Sequence, residues 1–195
     1  MTLVMIYEKI FQRRTIRRFK PKRVPEEALR KCVDAARLAP SGRNAQPLKY
    51  VAVNDKALLR EVFSTLKWAA YLPGYTIAEN ERPQAYIIML MDTGINKDHA
   101  SHDPGLAAMS ICTVALDYDL GTCILANVDR PKLRTILKIP ENLEIILVIA
   151  LGYPAHKAFA EKMKDENDVK YWLDKDGNFH VPKRDLNSIL KWNSY

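Results

Sequence analysis

The sequence predicts one domain, spanning residues 1–195, that combines α-helices with buried β-strands. Two apolar runs, 85–91 and 145–151, are short and rich in aliphatic side chains, as is typical of strands inside a sheet. The segment 104–120 is apolar on nearly every side, which predicts a helix buried by the domain or by a second subunit. With 48% hydrophobic and 27% charged residues, the composition is ordinary for a globular domain with its own core.

The first forty residues predict two helices joined by an extended segment. A first helix closes over 8–12, and the chain then runs out over 17–20, because the residue before Pro21 avoids the helical region. Pro25 and the two acids after it favour a helix start, since proline suits the first turn and carboxylates suit the positive end of the dipole. An apolar stripe with helical spacing follows and ends at 39–40.

The next elements are a loop, a strand and a helix. The polar loop 41–47 leads into a predicted strand over 48–53. Asp55 is expected to cap a helix whose apolar stripe runs from 58 to 66. Residues 68–81 are aromatic and irregular, and they precede the buried strand already described.

The C-terminal half begins with the apolar helix, which Gly121 is expected to end. Asp129 is placed to cap a short basic helix over 130–137. Residues 171–173 and 179–181 flank a turn rich in Asp, Gly and Asn and therefore predict a hairpin. A last helix follows, with Leu186, Ile189 and Leu190 on one side.

The positive charge of the chain is concentrated in one short segment. Seven of the 30 basic residues lie between Arg13 and Arg23, and no acidic residue lies among them. The other 23 basic residues balance the 23 acidic ones, so the net charge of +7 belongs to this segment. A protein that coats nucleic acid usually spreads its basic residues over a face, so the cluster favours one small anionic group. A solvated basic segment and, more remotely, a nucleic-acid-binding domain are the alternatives.

Cysteine usage and hydropathy limit the class of protein. Cys32, Cys112 and Cys123 are odd in number and fit no zinc spacing, so reduced and buried thiols are predicted. Nothing near Cys123 in the sequence favours the low pKa of a redox nucleophile. Neither a membrane-spanning apolar run nor a signal peptide is evident, and we expect a cytoplasmic protein without a membrane partner.

A metal site is one interpretation of His99 and His102, which lie three residues apart beside Asp103. That spacing suits two ligands on one helical face. No further ligand is evident, so the sequence favours a helix start capped by Asp103, and no metal ion is expected.

Two basic segments could bind an anion. In an extended chain side chains alternate, so Arg13, Thr15 and Arg17 would share one face, where guanidinium forks and a hydroxyl suit phosphate oxygens. Lys183 and Arg184 form a second basic site far along the chain, and an anion pocket results if the two meet in space.

Two further segments suit a flat polar ring. The loop 41–47 carries amide side chains that donate and accept, as the pyrimidine edge of a flavin requires, although an ordinary turn also explains it. The segment 121–127 is small and apolar, which lets a backbone approach a ring, although a plain connector also explains it.

Together these segments resemble the nitroreductase family of FMN-dependent oxidoreductases. The motifs stand in the family's order over most of the chain, and the first two are specific as a pair. They are Arg13-Arg14-Thr15-Ile16-Arg17, Ala39-Pro40-Ser41-Gly42-Arg43-Asn44-Ala45-Gln46-Pro47, Gly121-Thr122-Cys123, Leu137-Lys138-Ile139-Pro140 and Leu151-Gly152-Tyr153-Pro154.

The resemblance implies an α+β fold, with a mixed, largely antiparallel central sheet wrapped by helices. It also implies a homodimer with FMN at the subunit interface. Around FMN it implies Arg13, Arg14 and Thr15 at the phosphate and ribityl chain, with Lys183 or Arg184 helping, and Arg17 at the N1/O2 edge. It implies that Pro40, Ser41 and Asn44 reach the FMN of the partner subunit, and that Ile124, Leu125 and Ala126 lie near N5.

The resemblance also implies the reaction. NADH or NADPH would give hydride to flavin N5 and leave, and a small acceptor such as a nitroaromatic or quinone would then take its place. A positive Arg17 beside N1 would favour the anionic reduced flavin. No side chain need act as nucleophile or acid, so no catalytic residue is expected.

Departures from the family pattern leave the substrate open. The family often has an aromatic residue where Leu48 stands, and an acid and a glycine where Ala126-Asn127 stands. A flavin- or porphyrinoid-binding protein, or a dehalogenase-like or flavin-processing one, therefore stays an alternative within the same fold. A set of aromatic residues is expected either as a lid over the flavin or as packing at the dimer edge: Trp68, Tyr71 and Tyr75.

Overall fold

The central sheet has four antiparallel strands. In this computed structural model, which describes residues 5–95 and 101–195, they are β1 Leu48–Val53, β2 Ala85–Asp92, β3 Gly121–Leu125 and β4 Leu143–Gly152. They lie in the order β1-β2-β4-β3, and each neighbouring pair is antiparallel. The strands expected over 48–53, 85–91 and 145–151 are confirmed.

A second, smaller sheet lies in the C-terminal part. Its strands are β5 Ala158–Lys162, β6 Trp172–Leu173 and β7 Phe179–Lys183, in the order β5-β7-β6. The β6–β7 pair is antiparallel and confirms the expected hairpin, whereas β5 pairs parallel to β7. The two sheets together confirm the α+β fold with mixed, largely antiparallel strands.

Six helices accompany the sheets in the described part of the chain. They are α1 Ile6–Gln12, α2 Glu26–Arg37, α3 Lys56–Phe63, α4 Asp103–Ala115, α5 Arg130–Leu137 and α6 Leu186–Ile189. Asp55 and Asp129 cap α3 and α5 as expected: Asp55 accepts from the N–H groups of Ala57 and Leu58, and Asp129 accepts from that of Lys132. None of these helices is long and apolar enough to cross a membrane.

Both faces of the central sheet are covered. Along β2, Tyr86, Ile88 and Leu90 point into one core, while Ile87 and Met89 point into the other, as the two-residue period of a strand requires. The first core is closed by α3 and α5, and the second by α2 and α4. Because both faces of the sheet are buried, the sequences of β2 and β4 are almost continuously apolar.

The end of the apolar helix differs from the expectation. Helix α4 ends at Ala115, a short 3-10 turn follows, and Asp119 in the left-handed region (φ 57°) stops it. Gly121 does not end the helix but begins β3, a strand that the sequence pattern did not indicate. Helix α3 also ends earlier than expected, and Leu66 enters the first core from beyond it by pairing with Val128.

Candidate functional site

The basic segment between α1 and α2 lies along the free edge of β3. Thr15 pairs with Thr122 in a parallel bridge, and the N–H of Ile16 donates to the Thr122 carbonyl at 2.9 Å. A Cβ on Gly121 would lie 2.6 Å from Cγ1 of Ile16, so only glycine permits this approach. The structure thus brings together the two segments predicted to hold the phosphate and to face the ring.

Three basic side chains converge beside this segment. Arg13, Arg14 and Lys157 line one cavity of about 730 Å³, together with Thr122 and one acidic residue, Asp119. The volume lies in the range of roughly 300–1,000 Å³ that is usual for ligand and cofactor sites. Burial, and then the neighbouring charge of Arg13, lowers the pKa of Arg14. An anion bound here would relieve that repulsion.

A groove of about 800 Å³ lies elsewhere, between α2 and β1. It is slightly larger than the basic cavity, but three acidic and three basic side chains line it together. Arg30 binds Glu26 at 2.7 Å and Arg37 binds Asp34 at 2.6 Å, both along the helix surface. Since these pairs leave no cluster of one sign, the basic cavity is the stronger candidate site.

Arg17 lies in an aromatic corner. The carbon atom at the centre of its guanidinium group is 4.4 Å from the centroid of the Tyr171 ring and 4.7 Å from that of Phe179. The two rings are 5.9 Å apart and tilted by 53°. Nη1 of Arg17 is buried and has no hydrogen-bond partner among the described residues. A buried guanidinium N–H without a partner is costly, so this atom still needs an acceptor, and neither Arg17 nor Thr15 lines the basic cavity.

Two of the three aromatic residues expected as a lid or as packing at the dimer edge extend this corner. Tyr71 packs on Tyr171 with ring centroids 5.1 Å apart, and Tyr75 packs edge-on against Phe179 at 5.8 Å. Trp68 lies apart from them and stacks on Phe63 at 5.7 Å. Tyr71 and Tyr75 therefore contact the C-terminal hairpin of the same chain.

His156 belongs to the site although no sequence signal pointed to it. Its Nε2 accepts a 3.0 Å hydrogen bond from the N–H of Arg17, and its Nδ1 lies 2.8 Å from the Lys157 carbonyl. This pair of partners fits a neutral ring protonated on Nδ1. Burial lowers the pKa of His156, and the charges of Arg18 and Arg17 lower it further. A single histidine without a spaced partner carries no pattern that sequence reasoning could use.

The loop 41–47 is held by a buried carboxylate. Oδ1 of Asp103 accepts from the N–H of Gly42 at 3.0 Å, and the Asp103 side chain is buried. Asp103 does not cap α4 as expected: the cap position is His102, and no side chain bonds there. The other histidine weighed for a metal, His99, lies outside the described residues. Within these limits, no group of three or more potential ligands for a metal ion is present.

The loop lies apart from the basic cavity within one chain. Pro40 and Ser41 line a separate small cavity of about 190 Å³ that shares no residue with the basic one. Asn44 is exposed and takes a left-handed conformation, with φ 55°. A single chain therefore does not bring these residues to Arg13.

The remaining predicted residues divide between two places. At the end of β3, Ile124 and Ala126 are exposed while Leu125 is buried. Lys183 and Arg184 lie at the far end of β7, where Arg184 donates to the Glu166 carbonyl at 3.1 Å beside another cavity of about 160 Å³. One chain does not join these two basic residues to Arg13 and Arg14.

The three cysteine thiols lie in the interior of the protein. Cys32, Cys112 and Cys123 are buried and free, as predicted. Burial raises the pKa of Cys123 to about 12, so its thiol stays protonated at neutral pH. A protonated thiol is a poor nucleophile, which agrees with the expectation that Cys123 is not a redox centre.

Comparison with known proteins assigns the chain to a family. The family described as "Nitroreductase family" matches residues 10–153. The chain belongs to the nitroreductase family. It is 30% identical over 166 residues to a protein of Archaeoglobus fulgidus named "Putative NADH dehydrogenase/NAD(P)H nitroreductase", covering 82% of this chain and 86% of the relative. Membership of this family makes it an oxidoreductase.

The chain is also similar to a protein with a different name and to a solved structure that contains FMN. A protein of Thermotoga neapolitana named "Iodotyrosine deiodinase" is 24% identical, over 77% of this chain and 89% of its own length. The crystal structure of a putative nitroreductase from Desulfovibrio desulfuricans, in complex with FMN, superposes with a TM-score of 0.67 and 23% identity. That match covers 83% of this chain and 93% of the other, and it shows the shared fold.

Proposed function

We propose that this chain binds FMN and uses NADH or NADPH to reduce a small acceptor such as a nitroaromatic or a quinone. One observation carries the proposal beyond family membership: Arg13, Arg14 and Lys157 line a single cavity beside the edge of β3. Guanidinium groups pair with phosphate oxygens through parallel hydrogen bonds, so a phosphate is the natural occupant. Thr15, whose backbone is bridged to Thr122, does not line that cavity itself, and its hydroxyl is proposed to contact the ribityl chain beside it.

The residues present also fit the ring of FMN. The buried Nη1 of Arg17 requires an acceptor, and the N1/O2 edge of a flavin offers two. Strand β3 is an edge strand, so part of its backbone is free to bond outwards. We propose that Ile124, Leu125 and Ala126 run along the ring near N5, with the exposed Ile124 and Ala126 in contact with it.

The protein's part in the reaction is binding and electrostatics. When bound, FMN supplies the ring that accepts hydride from NADH or NADPH and delivers it to the acceptor. Arg17 holds a positive charge at the N1/O2 edge, which stabilises negative charge there. Cys123 is protonated and both ring nitrogens of His156 are engaged, so we assign no catalytic side chain.

A homodimer is part of the proposal. Pro40, Ser41 and Asn44 lie apart from the basic cavity of their own chain, so they reach FMN only if a second copy presents them. Helix α1 buries none of its residues, although Tyr7 and Phe11 are large and apolar. Such surface is typical of an interface. Lys183 and Arg184 are not assigned to the phosphate of their own chain.

The proposal is tested with the purified protein. We expect the visible spectrum of an oxidised flavin, bleached by NADH or NADPH and restored by a nitroaromatic or quinone. The phosphate contact is measured separately, by comparing the dissociation constants of FMN and riboflavin. Arg13→Ala should lose most of the preference for FMN, while Arg30→Ala, in the separate groove between α2 and β1, should keep it. A colourless protein that refuses added FMN would overturn the proposal.

Reductive dehalogenation at the same site is the second candidate. It is favoured by the similarity to the Thermotoga neapolitana deiodinase, and the departures at Leu48 and at Ala126-Asn127 leave the substrate class open. Iodide release from iodotyrosine by the flavin-loaded, reduced protein would support it. Rapid turnover of nitroaromatics without iodide release would leave the first candidate.

A further inference from the structure

The side chains around Arg17 come from the C-terminal hairpin and from the segment between β4 and β5, outside the motifs proposed to bind FMN. Tyr171 precedes β6 and Phe179 begins β7, so both sides of the hairpin contribute a ring to the corner around Arg17. His156 packs on Phe179 with ring centroids 4.9 Å apart and holds the Arg17 N–H. The hairpin therefore contacts the guanidinium, while the histidine holds the backbone.

The next residue strengthens the connection. Nη2 of Arg18 donates to the Gly177 carbonyl in the turn of the hairpin at 2.7 Å, and Nη1 lies 3.4 Å from Oε1 of Glu81. Two consecutive arginines are thus held by one hairpin through different contacts. Because Arg18 secures the hairpin independently, a change at Tyr171 can alter the Arg17 contact without detaching the hairpin.

The aromatic corner restricts the guanidinium group in a particular way. Aromatic faces attract a cation electrostatically, and the attraction is larger when water is excluded. The donors of a guanidinium lie in its plane, so two ring contacts at its central carbon restrict where those donors point. Nη1, buried and without a partner, is the donor that this arrangement leaves for a ligand.

We propose that Tyr171 is a positioning residue, which holds Arg17 in the orientation that binds the flavin edge. The inference rests on the proposed function, in which Arg17 contacts the N1/O2 edge of FMN. The Tyr171 hydroxyl is not the important group, because it only accepts a long 3.4 Å hydrogen bond from the N–H of Tyr71. The aromatic ring of Tyr171 is the group that matters. Without it, Arg17 would spend part of its time in orientations that cannot bind the flavin.

The test measures FMN dissociation constants on apoprotein by quenching of flavin fluorescence, with no turnover involved. Tyr171→Leu is expected to weaken binding by about three- to thirty-fold, the range of a cation–π contact. Tyr171→Phe keeps the ring and should bind as the original protein does. Trp172→Leu is the matched control: its side chain stacks on His180 at 4.0 Å, away from Arg17, and binding should not change.

A double-mutant cycle separates positioning from a general loss of structure. In an Arg17→Met background, Tyr171→Leu should cause no further loss of FMN affinity, because there is no guanidinium left to position. The free energy of unfolding of each variant is measured alongside. Tyr171→Met, which keeps an apolar side chain of similar length without a ring, repeats the test should the leucine variant not fold.

The outcomes distinguish this inference from the proposed function. If the original protein does not bind FMN, the proposed function fails and this assignment fails with it. If the original protein binds FMN and Tyr171→Leu binds it equally well, only the positioning role is overturned. Equal losses from Tyr171→Leu in the presence and absence of Arg17 would also overturn it, since they indicate a structural effect.

Discussion

The backbone N–H of Arg17 donates to Nε2 of His156 at 3.0 Å, a contact between residues 139 positions apart in the sequence. It requires an unprotonated Nε2, and burial lowers the pKa of this histidine. The proposed flavin-binding segment is therefore connected to the protonation of a group outside it.

His156 should make the protein less stable in mild acid. Its folded-state pKa is lowered, whereas the unfolded chain has a pKa of about 6.5, so the unfolded state takes up the proton first as pH falls. Its contribution is fully present above about pH 6.5 and is lost as pH falls below that value. Denaturant midpoints measured between about pH 5 and 8 should decline towards acid less steeply in His156→Gln. An unchanged slope in that variant would contradict the assignment.

His180 should have the opposite pH dependence. It lies between Glu161, at 2.6 Å from Nδ1, and Asp174, at 3.3 Å from Nε2, and the Glu161 hydrogen bond raises its pKa. The charged form is stabilised by folding, so this contribution is present below about pH 6.5 and is lost as pH rises through the raised folded-state pKa. The loss of unfolding free energy in His180→Gln, compared with the original protein, should therefore be larger at acidic than at alkaline pH. Chemical shifts of the two histidines, followed by NMR against pH, check the direction of each shift directly.

Gly121→Ala should damage both stability and cofactor binding. The added Cβ would lie 2.6 Å from Cγ1 of Ile16, a clash that pushes the basic segment away from β3 and costs about 1–3 kcal/mol. Thermal unfolding and FMN affinity measure the two effects. Gly105→Ala is the control, because its Cβ would meet nothing within 4 Å, and it should be neutral or stabilising by up to about 1 kcal/mol. Equal stability of the two variants would refute this account of Gly121.

Asp103→Ala should loosen the loop 41–47. The Gly42 N–H would lose its buried acceptor, and one such loss costs about 1–3 kcal/mol. Asp103→Asn keeps a side-chain oxygen and should lose less. Asp34→Ala, which removes an exposed ion pair with Arg37, should cost less than about 1 kcal/mol. If FMN binding is unaffected in Asp103→Ala, the loop does not contribute to the site.

Much of the fold follows from local signals. Asp55 and Asp129 cap helices where the sequence places caps, and the buried strands β2 and β4 coincide with its apolar runs. Strand β5 carried no such signal, because Ala158–Lys162 is short and partly charged and becomes a strand by pairing with β7. Strand β3 was also missed, since its first residue, Gly121, is equally suited to ending a helix.

The sequence by itself determined the family, the basic segment, the positions of most helices and strands and the buried state of the cysteines. Capping, periodicity and composition depend on residues within a turn or two of each other, so they can be read along the chain. Only the tertiary structure decided that Asp103 holds Gly42 and that His156 and Tyr171 hold Arg17. These contacts join residues far apart in sequence, and they exist only because the sheet and the hairpin bring them within a few ångströms.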